Sequence, residues 1–273
     1  MNKQQLVNLI KERKSLLCVG LDTVIEKIPA SILNSAKDPI FEFNKKIIDA
    51  TIHATVAYKP NTAFYEAYGI KGWESLQKTI DYIGDRAFII ADAKRGDIGN
   101  TSSMYAKAFF EAMNADAVTV APYMGEDSVT PFLGYDNKWV VVLGLTSNQG
   151  SKDFQQLTLA SGEKLYEEVI RKVASWGSAD QLMFVVGATK ADYIKEIRKI
   201  IPEHFLLIPG VGAQGGDLDA VCENGITKDG GLLINASRSI IYASNGNDFE
   251  LAAAKEAESM QAAMLKHIQK VGL

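Results

Sequence analysis

Short apolar runs recur along the chain, and segments with apolar residues at three- and four-residue spacing lie between them. The runs predict strands at 16–22, 57–61, 87–94, 117–121, 139–146, 182–188, 205–211 and 232–237. The fifth begins Trp-Val-Val-Val-Leu-Gly-Leu, apolar at every position, as a strand covered on both faces must be. Helical spacing is clearest over 39–54, where Ile40, Phe43, Ile47 and Ile48 follow Asp38-Pro39, a capping residue and a first-turn proline. Further helices are predicted near 71–83, 99–113, 126–133, 161–175, 190–200, 217–223 and 248–270. Strand–helix alternation specifies a parallel α/β fold, and eight is the number of repeats that closes it into a (β/α)8 or TIM barrel. An open doubly wound sheet is the alternative with the same alternation. No Pro-rich linker, low-complexity tract or charge block divides the chain, so residues 1–273 are expected to form one barrel domain behind a short N-terminal helix.

Composition narrows the range of functions. With 29 Lys and Arg against 33 Asp and Glu, the net charge is −4, which leaves no basic footprint for nucleic acid or an anionic membrane. An anionic ligand must therefore be gathered by a local site. Cys18 and Cys222, each among apolar residues, offer neither a disulfide framework nor a metal-ligand pair, and read as reduced, buried thiols of a cytoplasmic protein. Near the start, Leu6, Leu9 and Ile10 are cut off by Lys11, Glu12, Arg13 and Lys14 before a signal peptide or membrane span can form.

In a barrel of this kind chemistry sits at the C-terminal ends of the strands. Polar residues gather there: Asp22 after strand 1, Lys59 and Asn61 after strand 2, Asp92, Lys94 and Asp97 after strand 3, Thr146, Ser147 and Asn148 after strand 5. Gly187 and Thr189 follow strand 6, Gly210, Gly212 and Gln214 strand 7, and Ser237 and Arg238 strand 8. Asp92 and Lys94 lie two apart on a strand, so their side chains should share the inner face near the barrel mouth. A Lys beside carboxylates keeps its proton, which suits it to protonate a carbanion rather than to form a Schiff base. The bland alternative is an ion pair that merely closes the barrel top. The glycines around Pro209–Gly216 would let backbone N–H groups approach an anion, and Arg238 would add a charged contact, so a phosphorylated ligand fits strands 7 and 8. His53, His204 and His267 lack metal-ligand spacing and read as structural; Trp73, Trp139 and Trp176 read as packing residues, and Glu66, Glu74, Glu167 and Glu168 as solvated helix faces.

Asp-Ala-Lys-Arg-Gly-Asp at 92–97, continuing to Thr101, resembles the Asp-x-Lys-x-x-Asp signature of the orotidine 5′-phosphate decarboxylases, in the form of their longer bacterial subgroup. Leu-Asp at 21–22, Tyr-Lys-Pro-Asn at 58–61, Leu-Thr-Ser-Asn at 145–148 and Pro-Gly-Val-Gly at 209–212 match in the same order. The signature alone would not suffice, because related barrel decarboxylases and synthases of sugar phosphates share it. The resemblance implies decarboxylation of orotidine 5′-phosphate to uridine 5′-monophosphate in pyrimidine biosynthesis, with no metal or organic cofactor. It makes Lys94 the proton donor to C6, places Asp92 beside the substrate carboxylate, and has Lys59 link the charged network and contact the ribose. It further implies Asp22 and Asn61 at the nucleotide, Ser147 on the pyrimidine, and Pro209, Gly212, Gln214, Ser237 and Arg238 around the phosphate. Asp97 and Thr101 would reach into a neighbouring subunit, which implies a homodimer. Two departures stand out: Gln149 replaces a frequent proline, and Ser237 a frequent glycine. A magnesium-dependent decarboxylase of a sugar phosphate and a non-catalytic nucleotide-binding barrel are the rival readings.

Overall fold

All eight strands form: β1 Leu17–Gly20, β2 Ala57–Lys59, β3 Phe88–Arg95, β4 Ala117–Val120, β5 Trp139–Leu145, β6 Leu182–Val186, β7 Phe205–Pro209 and β8 Leu232–Ala236. Each pairs in parallel with the next and β8 returns to β1, so the sheet is a closed barrel and not an open one. The computed structural model describes residues 1–188, 191–211 and 217–273.

Both faces of the strands are covered because helices wrap the outside. The Pro39–Thr51 helix starts where expected, with the Asp38 carboxylate accepting the Phe41 N–H at 3.1 Å. It buries Ile40, Phe43, Ile47 and Ile48. Its Phe43 ring stacks 5.3 Å from that of Phe249, the first residue of the Phe249–Lys270 helix. On β2, Tyr58 points outward to this layer, where its hydroxyl lies 2.8 Å from that of Thr51. Its neighbours Ala57 and Lys59 therefore face inward.

Three helices differ from expectation. The 126–133 helix is replaced by two single 3₁₀ turns, Glu126–Ser128 and Thr130–Phe132, because Pro131 would remove an interior hydrogen bond and clash with the preceding turn. The 99–113 helix runs as α over Gly99–Lys107 and then widens to a π turn over Ala108–Ala112 that buries Phe109 and Phe110. The 161–175 helix begins only at Leu165, after Gly162 turns the chain at φ +90° and Thr158 bridges to Lys164.

The N-terminal mouth is shut. Trp139, at the start of β5, makes edge-to-face contacts with Phe88 of β3 at 6.0 Å and Phe205 of β7 at 5.9 Å. Strands two apart can meet in this way only across the interior, so these rings fill the barrel floor. Beneath them the Lys3–Arg13 helix buries Leu6, Val7 and Ile10, and the Trp139 indole N–H donates to the Met1 carbonyl at 2.9 Å. The C-terminal mouth is the open end.

Candidate active site

The site is built at that open end from the last residues of the strands. β3 continues the alternation that places Phe88 on the floor, so Asp92, four residues on, faces the interior near the rim. Its carboxylate holds both cations that flank it: Lys59 Nζ lies 2.6 Å from Oδ2, and Lys94 Nζ lies 2.6 Å from Oδ1. The Thr119 hydroxyl of β4 donates to Oδ1 at 3.0 Å. The Asp92 backbone is fixed as well, its N–H donating to the Pro60 carbonyl at 3.0 Å and its carbonyl accepting the Thr62 N–H at 3.2 Å.

Burial differs sharply within the trio. The side chains of Lys59 and Asp92 are 6% and 9% exposed, whereas that of Lys94 is 50% exposed. Burial alone would raise the Asp92 carboxyl, but the Lys59 and Lys94 ammonium groups outweigh it and hold it well below the usual carboxylate range. Burial alone would lower Lys59, but Asp92 and then Asp22 outweigh it and hold the ammonium above its ordinary value. The core of the site is thus a fixed ionic pair, with a second ammonium reaching out from it.

A cavity of about 210 Å³ opens beside this network, lined by Asp22, Lys59, Asn61, Asp92, Pro209, Ser237 and Arg238 among others. Seven of the expected residues are thereby brought together from the ends of β1, β2, β3, β7 and β8. Asp22 Oδ1 is buried and has no hydrogen-bond partner among the described residues, so it is an acceptor waiting for a donor. Arg238 is exposed at the cavity wall and forms no ion pair among the described residues. Ser147 lies in a separate hollow of about 180 Å³ with Asn148, Gln149 and Gly187. The two turns meet closely there: a side chain at Gly187 would strike the Ser147 backbone and Cβ at 2.8–3.0 Å. Asp97 and Thr101 line neither hollow; the Asp97 carboxylate accepts the N–H of Ile98 at 2.8 Å, and Thr101 is exposed. Gly212 and Gln214, with Thr189, lie outside the described residues.

Some site features were not visible in the sequence. Asn235 of β8 lines the cavity, and its side-chain oxygen lies 3.6 Å from the Cys18 sulfur. Gly20 is required below Ser237, since a Cβ there would fall 1.8 Å from the Ser237 hydroxyl. Glu66 is not a solvated face: it pairs with the Arg95 guanidinium, which also lies over the rings of Tyr105 and Phe109. The spacing of Glu66 gave no sign of this, because the pair joins β3 to the short Ala63–Glu66 helix, 29 residues earlier. The indole of Trp139 is buried in packing, both cysteines are free and buried, and none of the three histidines lines the cavity. Glu167, in contrast, is not a plain solvated face, since its carboxylate caps the Leu165–Ala174 helix by accepting the Lys164 N–H at 2.7 Å. No cluster of three or more His, Cys, Asp or Glu suited to a metal ion occurs among the described residues.

A closed (β/α)8 barrel with an ionic network opening on a cavity at the strand ends defines a barrel enzyme acting on a small anionic substrate. The chain belongs to the orotidine 5′-phosphate decarboxylase / HUMPS family, which it matches over residues 15–253, a span that contains all eight strands and the cavity. The orotidine 5′-phosphate decarboxylase of Flavobacterium johnsoniae is 59% identical over 271 residues, covering 98% of this chain and 98% of the relative. That of Phocaeicola vulgatus is 57% identical over 269 residues, covering 97% and 98%. Among solved structures, Leishmania donovani OMP decarboxylase superposes with a TM-score of 0.80 at 35% identity, covering 96% of this chain and 100% of that one. The Plasmodium berghei orotidine 5′-monophosphate decarboxylase gives a TM-score of 0.85 at 25% identity, covering 99% of both chains. These relatives are carboxy-lyases, and they align with this chain from end to end.

Proposed function

We propose that this chain decarboxylates orotidine 5′-phosphate to uridine 5′-monophosphate, with Lys94 protonating C6 and no metal or organic cofactor taking part. The observation that carries the reading is the Asp92 carboxylate clamped between two ammonium groups, one buried and one half exposed beside the cavity. Loss of carbon dioxide from C6 leaves an electron pair in the ring plane, with no adjacent π system to absorb it. The carbanion must then be stabilised electrostatically, and an ammonium can do that and afterwards supply the proton. Asp92, kept ionised by its partners, lies beside the substrate carboxylate and disfavours the reactant; the repulsion fades as neutral carbon dioxide forms.

The remaining roles follow the shape of the site. Asp22, with its unmet acceptor, takes a ribose hydroxyl, while Lys59 and Asn61 flank the sugar. Ser147, at the end of β5, hydrogen-bonds the pyrimidine. Arg238, Ser237 and Pro209, which line the cavity, hold the phosphate, and Gly212 and Gln214, outside the described residues, are assigned to it from the sequence alone. Binding energy from that remote phosphate keeps the ring in an unfavourable field.

A homodimer accords with the surface near the remaining two residues. Ile98 and Met104, beside Asp97 and Thr101, are 56% and 59% exposed, and Tyr123 and Met124 nearby are 87% and 47% exposed. An apolar patch at the active-site rim is suited to burial against a second copy, whose cavity would receive Asp97 and Thr101. The cytoplasm is the expected compartment for such an enzyme, and no helix among the described residues is long and apolar enough to cross a membrane.

The test is a spectrophotometric assay with orotidine 5′-phosphate, with and without a strong chelator. Wild-type protein turns over in both, and Lys94→Ala loses at least about 10²–10⁴-fold in kcat, the range of general acid catalysis, while still binding uridine 5′-monophosphate. Normal turnover by Lys94→Ala removes the proton-donor role, and loss of activity on chelation points instead to a metal-dependent barrel lyase. For the dimer, mixing inactive Lys94→Ala and Asp97→Ala chains restores one intact site per hybrid; no recovery despite subunit exchange places Asp97 in its own subunit's site.

A further inference from the structure

β4 reads Ala-Val-Thr-Val, and Thr119 is the one polar residue in it. The pairing of β3 with β4 slips at this point. Ala91 pairs with Val118 and Arg95 with Val120, so three residues of β3, Asp92 to Lys94, stand opposite Thr119 alone. A bulge of this kind leaves backbone groups without ladder partners. Lys94 sits in it at φ +44°, a left-handed conformation that a lysine rarely adopts.

The Thr119 side chain, 1% exposed as a residue, supplies what the ladder cannot. Its hydroxyl oxygen accepts the Lys94 backbone N–H at 2.8 Å, and its hydroxyl proton goes to Asp92 Oδ1 at 3.0 Å. The direction of both bonds is forced, because an amide N–H can only donate and a carboxylate can only accept. Lys94 Nζ meets the same Oδ1 at 2.6 Å. The bonds form a closed ring that leaves the Lys94 backbone through Thr119 and Asp92 and returns to the Lys94 ammonium.

We propose that Thr119 is a positioning residue for the decarboxylation: its one hydroxyl holds both the backbone from which Lys94 springs and the carboxylate oxygen that its ammonium meets, and so sets where Nζ stands relative to Asp92. This rests on the reading of Lys94 as proton donor. Thr119 touches no part of the substrate and acts only through Lys94 and Asp92. Removing the hydroxyl frees the Lys94 N–H and lets the residue leave its left-handed conformation, so the ammonium shifts while the rest of the cavity stays.

The experiment compares Thr119→Val, which keeps the shape without the hydroxyl, with Thr119→Ser, which keeps the hydroxyl, in the full chain. Thr119→Val should lower kcat by roughly 10- to 100-fold, the scale of a misplacement of about 1 Å, with KM and the affinity for uridine 5′-monophosphate little changed. Thr119→Ser should restore kcat to within about threefold of wild type, as retention of the hydrogen bonds requires. If Thr119→Val does not fold, Thr119→Ala takes its place and must fall well below Thr119→Ser. Wild-type kcat in Thr119→Val or Thr119→Ala, or an equal loss in Thr119→Ser, overturns the proposal, since packing alone would then account for the residue. Should the wild-type protein itself leave orotidine 5′-phosphate unchanged, the proposed function fails separately. A crystal structure of Thr119→Val then decides this point: Lys94 still at positive φ with Nζ on Asp92 refutes the positioning role, and a displaced Nζ supports it.

Discussion

Both ends of the barrel bury charge, and they complete it differently. At the N-terminal end Asp116 takes the Met1 ammonium on Oδ1 at 2.5 Å and the Ile89 N–H on Oδ2 at 2.9 Å, beneath the packed rings of Trp139, Phe88 and Phe205. Both carboxylate oxygens are occupied from within the chain, so the hollow of about 560 Å³ that Met1 and Asp116 help to line on the outside of this end meets a carboxylate that is already bonded. At the C-terminal end Asp92 is equally well bonded, but its neighbours are not. Lys94 is half exposed, Asp22 Oδ1 has no partner among the described residues, and Arg238 stands exposed on a cavity wall. Saturated polar groups stabilise; groups left incomplete around a cavity are capacity for a ligand. Stability and chemistry are thus separated along the barrel axis, and substitutions at the two ends should separate them too.

The largest effect should come where the two properties coincide. Asp92→Ala leaves Lys59 as a buried charge without its partner, which costs about 3–5 kcal/mol of stability, and turnover is lost as well. Urea unfolding read alongside the decarboxylation assay checks both; a stable Asp92→Ala protein would mean that Lys59 finds water or another anion. Trp139→Ala should also cost about 3–5 kcal/mol, by opening a cavity in the floor, but the folded fraction should keep near-normal kcat. A strong fall in its kcat would erase the division between the ends. Arg238→Ala should behave in the opposite way, weakening substrate binding by about 1.5–3 kcal/mol, as for a charged hydrogen bond, with an unchanged unfolding midpoint.

The smallest effect is a pH dependence confined to the lower half of the molecule. His204, just ahead of β7, has both ring nitrogens buried without hydrogen-bond partners among the described residues. Burial, with the Arg198 and Lys3 charges, pushes its pKa down to about 4. The unfolded chain, with a histidine near its ordinary pKa of about 6.5, binds that proton first, so stability is lost as pH falls from about 6.5 toward 4. Solvent access reduces the loss to about 1–2 kcal/mol. Asp92, held below the usual carboxylate range, keeps its contribution across this window and loses it only in stronger acid. Comparing urea midpoints at pH 7.5 and 4.5 for wild type and His204→Phe isolates the term; identical pH slopes would discount it.

Much of the architecture is readable from local pattern. β5 is apolar at every position, and a run such as Trp139–Leu145 has few ways to be stable except between two covering layers. Asp38-Pro39 announces a helix start by chemistry that acts within three residues. Where a local cue was overridden, a local cue was also present: Pro131 interrupts 126–133, and Gly162 delays the helix at Leu165. The site is legible in a different way. Asp92, Lys94 and Lys59 could be placed at one rim because strand ends in a barrel converge, yet nothing in the spacing of Thr119 or Asn235 distinguishes them from ordinary strand residues. The same holds for Glu66, whose partner Arg95 is joined to it only by the way the short helix after β2 meets the end of β3.

By itself, then, the order of residues determined the number of strands, their inward and outward faces, and the end of the barrel at which charge would collect, because periodicity and turn chemistry act over a few neighbours. The closing of β8 onto β1, the slip between β3 and β4 that turns Lys94 to positive φ, and the single hydroxyl that ties it to Asp92 were decided only in three dimensions. Each depends on groups far apart in the chain arriving at one place, and the energy of such a meeting belongs to the pair and not to either residue's sequence neighbourhood.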